Sequence, residues 1–287
     1  MNASLHKTSK DIFLMFFTRL STLTCAAIVC APMALAHEFW IEPLEFQVKN
    51  NQPVVADLRN GQLFDGTRLP FMASSNTYFE AVFGDTHIPV TGRMGDRPAI
   101  TLPPLGADGL LILAHEAAAS DLTYKEWAKF LKFATHKDFS DAADIHTARG
   151  WPMENFKETY TRHSKALIAV GNGEGADHDL GLWTEFVARD NPYAADFDGT
   201  LDVSLLFDSK PRGDAQIEVY ARDAQGVVTV TITRTDAQGN AAIPVQAGFD
   251  YMLDAVVLRP ASDEEIPEGM PVWETAWASL TFAVPLR

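Results

Sequence analysis

Leu110-Leu111-Ile112-Leu113-Ala114, followed by His115-Glu116, is the stretch on which the fold turns. A continuous apolar run bounded by turn residues reads as a β-strand covered on both faces. Its surroundings agree. Phe46-Gln47-Val48 and Val54-Val55-Ala56-Asp57-Leu58 are short apolar or alternating runs, and Gly84-Asp85 turns Tyr78–Phe83 into His87-Ile88-Pro89-Val90. Further along, Leu201, Val203, Leu205 and Phe207 share one face, with Asp202, Ser204 and Asp208 on the other. Asp223-Ala224-Gln225-Gly226 and Asp236-Ala237-Gln238-Gly239 repeat one turn between runs rich in Val, Ile and Thr. Tyr251–Leu258 and Trp273–Val284 supply two more strands. The pattern predicts a mainly β protein built from two antiparallel, immunoglobulin-like β-sandwich units.

One segment breaks the two-residue rhythm. From Thr123 to Lys137, residues Tyr124, Trp127, Phe130, Leu131 and Ala134 recur at helical spacing, and Thr123 with Glu126 matches a capping box. A weaker helix over about 139–149 stops at Gly150-Trp151-Pro152. The expected organisation is therefore an N-terminal sandwich over 37–190 with a helical insertion at about 121–150, and a C-terminal sandwich over 191–287. Asn191-Pro192-Tyr193 is the expected linker. The Gly-rich turn Gly171–Gly175 follows a strand but opens no helix and lacks a phosphate-loop lysine, so no nucleotide is expected.

The first 36 residues read as a signal peptide. Lys7, Lys10 and Arg19 form a basic start, the stretch from Leu20 to Leu35 carries no charge, and Ala34-Leu35-Ala36 is a small-x-small cleavage site. The apolar part is too short for a span of about 20 residues. The expected location is periplasmic, with no membrane insertion after cleavage. Both cysteines, Cys25 and Cys30, belong to this leader, so the processed chain has neither disulfide nor thiolate. The net charge of −15 disfavours nucleic acid as a partner.

Cleavage after Ala36 makes His37 the first residue of His37-Glu38-Phe39-Trp40-Ile41-Glu42-Pro43. A terminal histidine offers an amine and an imidazole nitrogen, a chelate suited to divalent copper or nickel. A further nitrogen must come from His87, His115, His136, His146, His163 or His178. His115 is preferred because it closes a packed strand, so ligation needs little ordering. His136, near the end of the first helix, is the reserve; its simpler role is to complement the helix dipole. His163 alternates with Arg162 and Ser164 and is read as a solvent-facing residue, and His178 as a loop residue.

The chain also resembles a bacterial exported family of unknown function whose members are often labelled periplasmic components of nickel or cobalt uptake. The resemblance rests on Ala36–Pro43, Thr123-Tyr124-Lys125-Glu126-Trp127, His136-Lys137-Asp138-Phe139, His163–Gly171 and Trp277–Phe282. Some relatives carry a histidine on the strand that here reads Val256-Val257-Leu258, so no ligand is expected there. The C-terminal half is similar to the transthyretin-like modules found beside carboxypeptidases, which are scaffolds.

The leading expectation is a periplasmic transition-metal (copper, nickel or cobalt) binding or uptake-accessory protein, not an enzyme, with His37, His115 and His136 as ligand candidates. Its partner would be a membrane metal transporter or another envelope protein. A metal-free envelope scaffold is the alternative. A copper oxidase with a histidine brace ranks third, since it needs a flat aromatic surface as well.

Overall fold

The computed structural model describes Met1, residues 37–262 and residues 266–286. The leader and its cleavage site lie outside the described residues. The described residues from His37 onward cluster as one compact unit.

Among the described residues, eighteen strands run in order. The first nine are β1 (Glu38–Pro43), β2 (Gln47–Val48), β3 (Val54–Gln62), β4 (Asp65–Leu69), β5 (Asn76–Phe83), β6 (Thr86–Pro89), β7 (Ile100–Leu102), β8 (Gly109–Ala117) and β9 (Ser120–Tyr124). Two helices follow, α1 (Trp127–His136) and α2 (Ala142–Ala148). Then come β10 (Phe156–Val170), β11 (Thr184–Ala188), β12 (Thr200–Phe207), β13 (Lys210–Pro211), β14 (Gln216–Arg222), β15 (Val228–Arg234), β16 (Asn240–Pro244), β17 (Asp250–Pro260) and β18 (Pro271–Ala283). The fold is mainly β, a β-sandwich with a small helical insertion.

Three sheets carry the strands. The central one has the order β15-β14-β17-β18-β10-β8-β5-β6, with β2 and β9 also on β10. A four-stranded sheet of β1, β3, β4 and β7 packs on one face of it, and a second of β11, β12, β13 and β16 on the other. The side chains of β8 make this arrangement visible. Leu111 and Leu113 enter the core shared with Phe39, Ile41 and Leu58, while Leu110 and Ile112 enter the core shared with Phe186, Leu201 and Val203. A strand buried on both faces has no polar face to alternate, hence the unbroken apolar run.

The two sandwiches therefore share their middle layer. Strands β14, β17 and β18 from the last third lie in the same sheet as β5, β8 and β10. The seam is parallel: β10 pairs with β18 from Lys157–Pro271 to Ala166–Thr281, and with β2 at Ala169–Gln47 and Val170–Val48. Most other pairings are antiparallel, as the alternation predicts. The segment expected as a linker is pinned to this middle layer. The Tyr193 hydroxyl donates to the Leu167 carbonyl at 2.7 Å, and Asn191 Nδ2 donates to the Gly173 carbonyl at 2.8 Å.

The repeated turns behave as read. Asp223 Oδ1 accepts the Gln225 and Val227 amides at 2.9 and 2.8 Å, and Asp236 Oδ1 accepts those of Gln238 and Asn240, both at 2.8 Å. The capping box at Thr123 does not form. Thr123 lies in β9 opposite Lys157, and α1 starts four residues later, after Glu126, with no side-chain cap. Pairing with the long β10 gives this segment ladder hydrogen bonds along its inward edge, whereas a first helical turn leaves its amides open. Trp127, Phe130, Leu131 and Ala134 of the helical pattern fall within α1, Tyr124 lies in β9, and Phe130, Phe133 and Ala134 bury the inner face of the helix against Trp273 and Trp277 of β18. Asp138, at φ 67°, ends the helix in the left-handed region.

Candidate metal centre at the head of the first strand

The first strand is clamped onto the central sheet by side-chain hydroxyls. Ser164 Oγ accepts the Ile41 amide at 3.0 Å. Ser279 Oγ donates to the Phe39 carbonyl at 2.8 Å, and Thr281 Oγ1 donates to the Ile41 carbonyl at 2.7 Å. One residue before the strand, Arg162 Nη2 donates to the His37 carbonyl at 3.2 Å. Alternation then sends Glu38 and Trp40 to one side of β1, and Phe39 and Ile41 to the other.

Phe39 leads to His115. Their ring centroids are 5.2 Å apart, and Phe79, opposite His115 in the β5–β8 register, meets the same imidazole edge-on at 4.7 Å. The side chain is 2 % exposed. His115 Nε2 lies 2.8 Å from Asn76 Oδ1. The amide oxygen only accepts, so Nε2 carries the proton and Nδ1 presents a bare lone pair. That Nδ1 is buried without a hydrogen-bond partner. Burial, reinforced by the nearby His163, pushes the pKa of His115 down to about 3, so the ring is neutral at any ordinary pH.

A cleft of about 250 Å³ opens here, lined by Phe39, Leu58, Asn76, His115, Tyr160 and Arg162 among others. It owes its place to a change of partner along β10. The β8–β10 ladder runs from Gly109–Val170 to Ile112–Leu167, and the β9–β10 ladder from Ser120–Tyr160 to Tyr124–Phe156. His115 and Glu116 on one side, and Arg162 and His163 on the other, lie between these ladders. Arg162 stacks over Tyr160 at 4.5 Å and is partly desolvated, with Nε lacking a hydrogen-bond partner.

The remaining candidates lie elsewhere or are already engaged. His163 is buried, not solvent-facing: Nδ1 donates to the Trp277 carbonyl at 3.1 Å, and Nε2 lies 3.4 Å from Glu116 Oε2 without forming a hydrogen bond. His136, half-exposed at the end of α1, has Nε2 3.0 Å from Glu218 Oε1, on the side of β1 where Glu38 points, away from His115. His146 uses both nitrogens, accepting from Trp273 Nε1 at 3.0 Å and donating to the Pro152 carbonyl at 3.0 Å. His87 contacts Glu80 at 2.7 Å on the surface. His37 itself is exposed. Sequence reasoning missed Asn76 and Arg162. Each is distant in sequence from the histidine it serves, and neither belongs to a local motif.

Among the described residues, no group of three or more His, Cys, Asp or Glu side chains converges as a metal ion requires. A terminal chelate completed by one imidazole does not need such a group, because one of its three nitrogens is the amine. A larger cleft of about 600 Å³ is lined by Glu42, Asp57, Arg59, Arg68, Arg222 and Asp250. Its charges face one another, with Arg68–Asp57 at 2.7 Å and Arg222 bridging Glu42 at 2.9 Å and Asp250 at 3.1 Å.

Fold and site together describe a β-sandwich protein with a histidine-bearing cleft at the head of its first strand. The chain belongs to the family described as "Domain of unknown function (DUF4198)", whose profile matches residues 34–259. No curated protein matches. Among solved structures, the chain is similar to an adhesin of Yersinia pseudotuberculosis, InvE, at 11 % identity and a TM-score of 0.20, covering 86 % of this chain and 58 % of that one. It is also similar to the BSP domain of a biofilm-associated protein, at 12 % identity and a TM-score of 0.18, covering 85 % of this chain and 29 % of that one. The chain thus spans about half or less of the length of these structures.

Proposed function

We propose that this protein, exported to the periplasm and cleaved after Ala36, binds a divalent transition metal through the His37 amine, the His37 imidazole and His115 Nδ1. The observation that carries the reading is the buried, neutral, unpartnered Nδ1 of His115 in a cleft whose wall includes Arg162, the residue that holds the His37 carbonyl. In extended chain, residues two apart share a face. His37 therefore leaves the strand on the side of Phe39, and Phe39 rests on His115. Asn76, by taking the proton-bearing Nε2, fixes the tautomer that frees Nδ1, the usual service of a group behind a ligating histidine. Copper is favoured over nickel by the general order of affinity for nitrogen donors. Delivery to a membrane transporter is the role this site fits.

The test is calorimetric titration with Cu²⁺ of protein that begins at His37, alongside a form with one extra residue and the variant His115→Ala. Binding is expected only in the first. The extra residue turns the amine into an amide, and the alanine removes the third nitrogen. Equal affinity in all three would exclude the terminal chelate.

A metal-free scaffold is the second reading, and one observation favours it. β15 ends the central sheet and exposes Val230 and Ile232, with Val227 just before it. An apolar edge with open backbone groups suits addition of a strand from another envelope protein.

A further inference from the structure

On the far side of β1 from His115, the core holds a cluster that the metal reading does not use. Lys137, delivered inward by the end of α1, has Nζ 2.8 Å from Asp254 Oδ2 and 2.9 Å from Glu218 Oε2. The three side chains are 4 %, 1 % and 3 % exposed. Glu218 and Asp254 are direct cross-strand partners on β14 and β17. Trp277 covers the ammonium at 4.9 Å, and the Tyr220 hydroxyl bridges Glu218 and Glu38. Three carboxyl groups thus surround one lysine, and Asp254 Oδ1 and Glu38 Oε2 have no hydrogen-bond partner.

As an ion pair this cluster is a poor bargain, because desolvating several charges outweighs what one lysine returns. Burial pushes Asp254 toward its un-ionised acid, with the Glu218 charge adding to the effect and Lys137 opposing it. Glu38, also through burial, is raised to about 7. A second buried lysine makes the contrast. Lys165 contacts Asp177 at 2.7 Å and Glu185 at 3.1 Å, but Asp177 accepts the amides of His178 at 2.9 Å and Ala188 at 2.8 Å. Those amides occupy both oxygens of Asp177. Asp254 receives no such amide.

We propose that Lys137 and Asp254 form an intramolecular amide cross-link, with Glu218 as the proton carrier. The Lys137 ammonium passes one proton to the Glu218 carboxylate, and the freed amine attacks Cγ of the un-ionised Asp254. The new C–N bond forms as a C–O bond breaks. The departing hydroxyl takes the proton held by Glu218 and leaves as water, and the second amine proton returns to Glu218. An ammonium, a carboxylic acid and a carboxylate become an amide, one water and a carboxylic acid. Whenever they are ionised, Asp254, Glu218 and Glu38 outweigh burial and hold the pKa of Lys137 high, so a free amine facing an un-ionised Asp254 is scarce and the step is slow and single. Exclusion of water protects the product. The bond would tie α1 to β17 and remove two charges from the core.

Intact mass spectrometry of the folded full chain tests this without any variant. The expected mass is lower than the sequence mass of the species present by one water, and a tryptic map should join the peptides carrying Lys137 and Asp254. A full sequence mass after prolonged incubation overturns the proposal. Lys137→Arg keeps the positive charge but cannot form the link, so it should show the full mass. Loss of water in that variant would place the dehydration elsewhere and also overturn it. Neither result bears on the metal site, which uses none of these residues.

Discussion

Phe39 lies against His115 with ring centroids 5.2 Å apart and planes inclined by 35°. This contact couples the residue two places after the expected N-terminus to a histidine near the end of a strand in the central sheet. It makes the head of β1 one wall of the cleft, so integrity of the strand and integrity of the site are the same property.

Replacing Phe39 by alanine should cost about 3–5 kcal/mol, as for other large core truncations. Phe39 is 6 % exposed and belongs to the core with Ile41, Leu58 and Phe79. Urea denaturation measures the loss, and a change below about 1 kcal/mol would mean that β1 is held by its hydroxyl clamp alone.

Asn76→Ala should lower Cu²⁺ affinity roughly 10–100-fold in the processed protein while leaving the fold in place. The amide oxygen fixes the His115 tautomer from 2.8 Å, and without it Nδ1 can carry the proton. Unchanged affinity in titration would separate His115 from the site.

Two buried groups give opposite pH signatures. His115 is depressed from 6.5 to about 3, so its contribution is fully present above pH 6.5 and is lost as pH falls toward 3. In His115→Phe, the decline in unfolding free energy between pH 6.5 and 4 should be shallower than in the parent. Parallel curves would show that the ring protonates as freely as in the unfolded chain.

Glu158 behaves the other way. Burial raises it from 4.5 to about 7, against hydrogen bonds from Thr275 at 2.5 Å and Tyr124 at 2.9 Å. Its contribution is present below pH 4.5 and is lost as pH rises through 7, by at most about 3 kcal/mol. Glu158→Gln should flatten that loss, and a variant that still loses the same stability over this range would assign it to other carboxyls.

Gly61→Ala should open the β3–β4 hairpin. An added Cβ would stand 2.0 Å from the Asp65 carbonyl oxygen and 2.3 Å from Gly66 Cα, both backbone atoms that cannot turn aside. A loss of about 1–3 kcal/mol in denaturant is expected. A neutral result would mean that the two strands separate without harm to the core.

The sequence by itself determined the class of fold, most strand positions and the two turns, because these depend on local rules. Alternation fixes which side chains share a face, Asp and Gly fix the turns, and the unbroken run Leu110–Ala114 requires cover on both sides. It also singled out His115, whose place on that strand is a local fact. The start of α1 departs from the sequence expectation because Thr123 satisfies a cap in sequence but gains more by pairing with β10, a partner found 34 residues later at Lys157. Only the tertiary structure decided that the two sandwiches share one central sheet, that Asn76 frees His115 Nδ1, that Arg162 reaches His37, and that Lys137 meets Asp254 across 117 positions. No periodicity encodes these contacts, since each arises where segments far apart in the chain are pressed together to bury a common core.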